Sequence, residues 1–202
     1  MPLVLRSSPA SPFGRKINLA LAHLGLAELV TVALADATDG GDALRLQNPL
    51  GKVPALILED GTAIYDSRVV LEYLDILGGG NKIIPADPKA RIQALTLQAL
   101  ADAILDACIL LRYETMFRSE ERREPRWLDH QQGKVARGLE ALEAMPPELG
   151  VTVGTIALAC ALGYQDIRFQ GSWRARCPNL AGWLDAFIRQ MPAAWEKTKP
   201  LL

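Results

Sequence analysis

Several kinds of chemistry are scarce in this chain of 202 residues. It has three cysteines, an odd number with no C-x-x-C spacing, which excludes a fully paired disulfide framework and a dithiol redox motif. Cys108 and Cys160 sit in the apolar runs ILDACILL and IALACAL, where a free thiol behaves as a small hydrophobe, so a reducing, cytoplasmic setting is expected. The two histidines, His23 and His130, are far apart and lack ligand-like neighbours, so no metal site is expected. An excess of one charge is also missing. The 22 basic and 23 acidic side chains leave a net charge of −1, which gives no global field to draw the protein onto nucleic acid or an anionic membrane. The densest charged stretch, 118–126, mixes four arginines with three glutamates and reads as a solvated helix end. No apolar run approaches the roughly 20 residues that span a bilayer, and MPLVLRSSPASP lacks a signal-peptide layout. The expectation is a soluble cytoplasmic protein with neither nucleic acid nor membrane as partner.

What is present is apolar material, 50% of the chain, in two textures. Residues 1–77 alternate between strand and helix signals. Leu3–Leu5 reads as a strand and Ser7–Ser11 as a loop. Pro12 then falls in the first turn of a helix, where proline is welcome; Ile17, Leu19, Ala20, Leu21 and Leu24 give that helix its apolar face, and Gly25 ends it. Glu28–Leu34 reads as a second strand and Asp42–Gln47 as a helical turn. Val53–Leu58, the turn at Asp60-Gly61 and Thr62–Tyr65 read as a strand pair. Asp66-Ser67 opens a helix through Val69, Val70, Tyr73, Leu74 and Leu77. Gly78-Gly79-Gly80 breaks the chain, and residues 78–87 read as a linker.

From Pro88 the strand signals vanish. Ile92, Leu95, Ala99, Ala103, Ala107 and Leu111 recur at helical spacing. Pro125 opens a further helix. Thr152 caps one that is apolar nearly all round, the pattern of a buried central helix, and Pro178 starts the last main helix. The predicted fold is therefore an α+β unit of the form βαβ-ββα over 1–77, followed by an all-α bundle over 88–202.

Three short segments carry candidate chemistry. Ser11 precedes Pro12 at a helix start, where free N–H groups and the helix dipole favour an anion; plain capping would equally explain a serine there. Val53-Pro54 opens a strand, which suits an edge position or a cis bond. A cis bond would turn the Val53 backbone N–H and C=O away from the sheet and towards an extended peptide. Asp66-Ser67 at the next helix start offers a carboxylate and a hydroxyl, again at positions that capping alone would fill. Together, the three offer polar groups suited to a small zwitterionic peptide.

SPxSPFxRK, NPLGKVPAL and the DS pair before an apolar helix resemble the glutathione S-transferase family, especially its bacterial cytosolic branches. GTIALACALGYQDIR resembles that family's core C-terminal helix, so the likeness spans essentially the whole chain. The resemblance implies a thioredoxin-like domain before the helical one, glutathione as co-substrate and a homodimer. It implies that Ser11 donates to the glutathione sulfur, with Phe13 beside it where cysteine-type relatives share the same Pro-Phe. Val53, before Pro54, would bond the cysteinyl backbone, Lys52 would lie near the glycyl carboxylate, and Asp66 and Ser67 would hold the γ-glutamyl end. Arg112, Tyr113 and Phe117 fall where relatives line the electrophile pocket, though ordinary packing would also account for them. The implied activity is transfer of glutathione to small electrophiles. A non-catalytic interaction protein, or a glutathione-dependent dehalogenase, isomerase or reductase, stays open beside it. One departure concerns the core helix, where Thr155 stands in place of the family's usual aspartate. Loss of that carboxylate's reciprocal capping bond is expected to cost about 1 kcal/mol.

Overall fold

In the computed structural model, which describes residues 3–200, strand β1 (Leu3–Ser7) alternates buried and half-buried positions. It runs two residues beyond its apolar stretch because Arg6 and Ser7 still pair in parallel with Ala33 and Leu34 of β2 (Val30–Leu34). A parallel pair needs a crossover, and helix α1 (Pro12–Leu24) supplies it. Gly25 ends α1 in the left-handed region at φ 69°, where glycine alone is unstrained. The residues expected to begin the second strand instead form a single 3-10 turn, Ala27–Leu29.

After the short helix α2 (Leu44–Gln47) come β3 (Ala55–Ile57) and β4 (Ala63–Ile64), both shorter than the sequence suggests. Pro54 brings no N–H to a ladder, so β3 begins one residue later. The sheet order is β2-β1-β3-β4, with β1–β3 and β3–β4 antiparallel. Helix α3 (Ser67–Leu77) packs beside α1. This is the thioredoxin-like mixed sheet expected for the first part of the chain.

The glycine run after α3 is a folded turn. Gly79 and Gly80 take φ of 98° and 73°. The buried carboxylate of Asp75 then accepts the N–H groups of Asn81, Lys82 and Ile83 at 3.0, 2.9 and 2.8 Å. One side chain thus satisfies the backbone of a segment that sequence composition renders only as an extended linker.

Every described element from residue 88 on is helical. The α-helices are α4 (Pro88–Phe117), α5 (Pro125–Ala144), α6 (Val153–Arg168), α7 (Pro178–Gln190) and α8 (Pro192–Lys197), with a single 3-10 turn, Glu120–Arg122, before α5. Helix α6 is buried from Val153 to Gln165 and lies so close to α4 that a Cβ at Gly154 would come within 2.5 Å of the Ala94 carbonyl oxygen. By length and composition α4 is apolar enough to cross a membrane, although charged side chains interrupt its apolar runs, and half of its most apolar stretch is buried inside this fold.

The capping expectation for α6 needs correction. Thr152 Oγ1 accepts from the N–H of Thr155 at 3.2 Å, and Thr155 Oγ1 accepts from the N–H of Thr152 at 2.8 Å. The box is therefore reciprocal without a carboxylate. The threonine hydroxyl also donates, reaching the Gly150 carbonyl at 2.7 Å, which an ionised carboxylate cannot do. Helix α8 lies beyond the last helix that the sequence predicts. Its Trp195 ring lies 3.7 Å from the buried Arg15 guanidinium, whose Nη2 donates to the Trp195 carbonyl at 3.0 Å.

Candidate functional site

Strand register brings the three candidate segments to one end of the sheet. Arg6 on β1 faces Ala55 on β3, and Leu56 faces Ile64 on β4. The chain leaving β1 towards Ser11, the chain entering β3 through Val53-Pro54 and the chain leaving β4 towards Asp66 therefore all lie beyond the same sheet edge.

Ser11 is the N-cap of α1, with Oγ accepting from the Gly14 N–H at 3.1 Å. Helix α1 starts tight against β1, and a Cβ at Gly14 would collide with Ser7 Oγ. Phe13 is half-buried beside the core. The Val53–Pro54 bond is cis, and among the described residues nothing hydrogen-bonds to the Val53 backbone. Buried Asn48 shapes the loop before it, donating from Nδ2 to the Lys52 carbonyl at 2.8 Å and accepting from the Leu50 N–H at 3.1 Å. The Lys52 side chain is exposed.

At the third segment the two neighbours behave differently. Asp66 caps α3 through the Arg68 N–H at 2.9 Å and pairs with the Arg68 guanidinium at 2.8 Å, both groups being half exposed. Partial burial pushes its carboxyl up, but Arg68 outweighs this and holds it below the usual carboxylate range. Ser67 is buried, and its Oγ accepts from Lys16 Nζ at 3.0 Å. Lys16 has no exposed surface and pairs with Asp102 Oδ1 of α4 at 2.6 Å. Burial pushes the Asp102 carboxyl up, opposed by Lys16.

Sequence reasoning missed Lys16 and Asp102. The available signal was a charge inside each apolar stripe: Lys16 among Phe13, Ile17 and Ala20, and Asp102 among Ala101, Ile104 and Leu105. A buried charge needs a partner, but periodicity does not say that these two find each other.

Arg112, Tyr113 and Phe117 are exposed near the end of α4, with the two rings edge-on at 5.4 Å. A cleft of about 430 Å³ that contains Ser11 is bordered instead by Ser8, Pro9, Asn18 and the tail from Glu196 to Pro200. None of the segments singled out in the sequence falls on that tail. Burial pushes the thiols of Cys108 and Cys160 up to about 12 and raises that of Cys177.

Residues 10–77 match the family described as glutathione S-transferase, N-terminal domain. The uncharacterized GST-like protein YibF of Escherichia coli (strain K12) is 33% identical, over 96% of this chain and 98% of its own. A glutathione transferase family member from Pseudomonas fluorescens Pf-5, solved with bound glutathione, superposes with a TM-score of 0.91 at 40% identity, covering 99% of this chain and 100% of that one. A family member from the same bacterium, solved with bound S-(propanoic acid)-glutathione, gives 0.86 at 38% identity, covering 98% and 100%. With a third of its residues identical to a relative along nearly the full length of both, this chain belongs to the glutathione S-transferase superfamily.

Proposed function

We propose that the protein is a glutathione transferase that holds the glutathione thiol as a thiolate for attack on small electrophiles. The observation that carries this reading is the convergence of Ser11, Val53 and the Asp66-Ser67 pair at one sheet end. Val53 offers an unoccupied N–H and C=O to the cysteinyl unit, Pro54 fixes the turn that presents them, and Lys52 reaches the glycyl carboxylate. Asp66 takes the γ-glutamyl ammonium and Ser67 the γ-glutamyl carboxylate. Ser11 donates to the sulfur with Phe13 beside it.

The energetics are sufficient. A free thiol with a pKa of about 8.5 must fall about 2 units to be mostly ionised at pH 7, equivalent to about 2.7 kcal/mol. A hydrogen bond to a charged acceptor supplies about 1.5–3 kcal/mol, and a helix N-terminus about 0.3–1 kcal/mol. The thiolate then forms the new carbon–sulfur bond as the electrophile's leaving group, or its π electrons, take up the electron pair. Arg112, Tyr113, Phe117 and the tail along the Ser11 cleft are the side chains proposed to border that electrophile. The relative's S-(propanoic acid)-glutathione complex supports room for a substituent on sulfur.

Residues 1–77 and 88–202 are proposed as the two units, joined by 78–87, and two chains as the working assembly. Three unpaired, buried cysteines support a reducing cytoplasmic setting.

Titration calorimetry with glutathione tests the reading. One site per chain is expected. At about 100 times Kd, glutathione should add about 2.7 kcal/mol of stability, raising the melting temperature by roughly 5–11 °C. No heat and no thermal shift at millimolar glutathione would overturn it.

A further inference from the structure

The cleft that contains Ser11 has walls of unequal charge. Its ionisable border is Arg15 of α1 together with Glu196, Lys197 and Lys199 of the tail, three cations against one carboxylate on a chain whose net charge is −1. The tail is seated firmly. Arg15 is buried, its Nη2 donates to the Trp195 carbonyl at 3.0 Å and its Nε to Thr198 Oγ1 at 3.4 Å. The Trp195 ring, 3.7 Å from that guanidinium, rests on α6 where a Cβ at Gly163 would come within 3.0 Å of it. Thr198 is thus an anchored point, with the exposed Lys197 and Lys199 on either side of it. Glu196 lies within electrostatic reach of Arg15, so its charge is answered from inside the protein. The ion pairs among the described residues involve neither Lys197 nor Lys199.

We propose that this cleft selects electrophiles that carry a carboxylate, received by Lys197 and Lys199 while the reacting carbon faces the sulfur held by Ser11. This rests on the transferase reading above and names the substrate class for it. Glutathione bound as a thiolate carries more negative than positive charge, so a second anion approaching its sulfur is repelled. A neutral electrophile needs no help against that repulsion. An anionic one does, and the two ammonium groups supply it. With a net charge of −1 the whole molecule exerts no long-range pull on an anion, so the preference belongs to the cleft. Exposed ion pairs are individually weak, which puts the combined preference at about tenfold, far below a thousandfold.

The test uses S-(4-carboxybenzyl)glutathione and S-(4-carbamoylbenzyl)glutathione, which differ only in ending the ring with a carboxylate or with a neutral amide of similar shape. Titration calorimetry on the parent should give about tenfold tighter binding of the carboxylate form. In Lys197→Met/Lys199→Met the two conjugates should bind within about twofold of each other, with affinity for glutathione and for the amide conjugate near parental. Lys197→Glu/Lys199→Glu should invert the preference. Lys82→Met/Lys89→Met, which removes equal charge from exposed positions outside the cleft, should leave it unchanged. Raising the salt from about 0.02 M to about 0.5 M should shrink the parental preference several-fold, because exposed charges are screened. The same selectivity should appear in turnover of 4-(chloromethyl)benzoate against 4-(chloromethyl)benzamide, after subtraction of the uncatalysed rate. In both, sulfur bonds to the benzylic carbon as chloride leaves with the electron pair of the broken carbon–chlorine bond. The carboxylate is remote from the reacting carbon, so KM should carry the difference and kcat should change little.

A parent that binds the two conjugates equally, or a methionine variant that keeps the parental preference, overturns the inference and leaves the transferase reading standing. Weakened glutathione binding in the methionine variant also overturns it, since the lysines would then hold the peptide and not the electrophile. A parent that binds neither conjugate and no glutathione instead removes the function proposed above, and this inference with it.

Discussion

A serine hydroxyl has one proton and two lone pairs, and at Ser11 they serve different ends. The oxygen accepts from the Gly14 N–H at 3.1 Å, which makes Ser11 a helix cap and leaves the proton available for a sulfur. Capping and activation are thus compatible on one side chain. Ser11→Ala should lower turnover roughly ten- to a hundredfold at neutral pH, the rate equivalent of a charged hydrogen bond, with glutathione affinity nearly unchanged. The sign of the pH effect follows from the thiolate: losing its donor raises the bound thiol's pKa, so the ascending limb of the rate profile moves to higher pH. Ser11→Thr, which keeps a hydroxyl, should stay close to the parent. Parental rates and an unmoved profile in Ser11→Ala would reduce Ser11 to a cap. Residues of this kind are legible in sequence because proline or a helix start marks them. Lys16 is not, because its meaning depends on Asp102, 86 positions later.

Elements are specified by the same local rules, with exceptions where a polar side chain substitutes for an expected partner. Prolines at 12, 88, 125 and 178 mark true helix starts, and the apolar run after Thr152 marks the core helix. Helix α8 is not legible in the sequence because six residues are too few for a periodicity, and Pro192 follows α7 almost at once. The strand limits shifted wherever pairing, rather than apolar content, decided them. Thr155 shows how a missing motif residue can mislead. Its hydroxyl accepts from Thr152 N–H and donates to the Gly150 carbonyl, closing the cap by a different route. Thr155→Val, nearly isosteric, removes both bonds at a buried position. A loss of about 1–2 kcal/mol is expected, seen as a melting temperature lower by about 2–8 °C with glutathione affinity retained. An unchanged melting temperature would mean that packing alone holds the start of α6.

At the scale of the whole molecule, the proposed dimer makes a prediction about exposed apolar side chains. On α3, Val69 and Ile76 are 50% and 69% exposed and, seven residues apart, share one helix face. Glu72 between them pairs with Arg91 of α4 at 3.0 Å, next to Ile92, which is 62% exposed. Leu46 and Leu50, 91% and 73% exposed, add two more around α2. These residues belong to both halves of the chain, and the proposed homodimer places the sheet half of one protomer against the helical half of the other across them. In a two-fold interface each substitution acts twice. Val69→Asp/Ile76→Asp therefore changes four side chains per dimer. If each loses about 1 kcal/mol of burial, below the full value for such residues, the dimer weakens by about three orders of magnitude. The parent should sediment at twice the chain mass at micromolar concentration and the double variant as a monomer, with its helical content unchanged. A parent of single-chain mass under those conditions would refute the dimer. Those side chains would then be ordinary surface, since much of any folded surface is apolar.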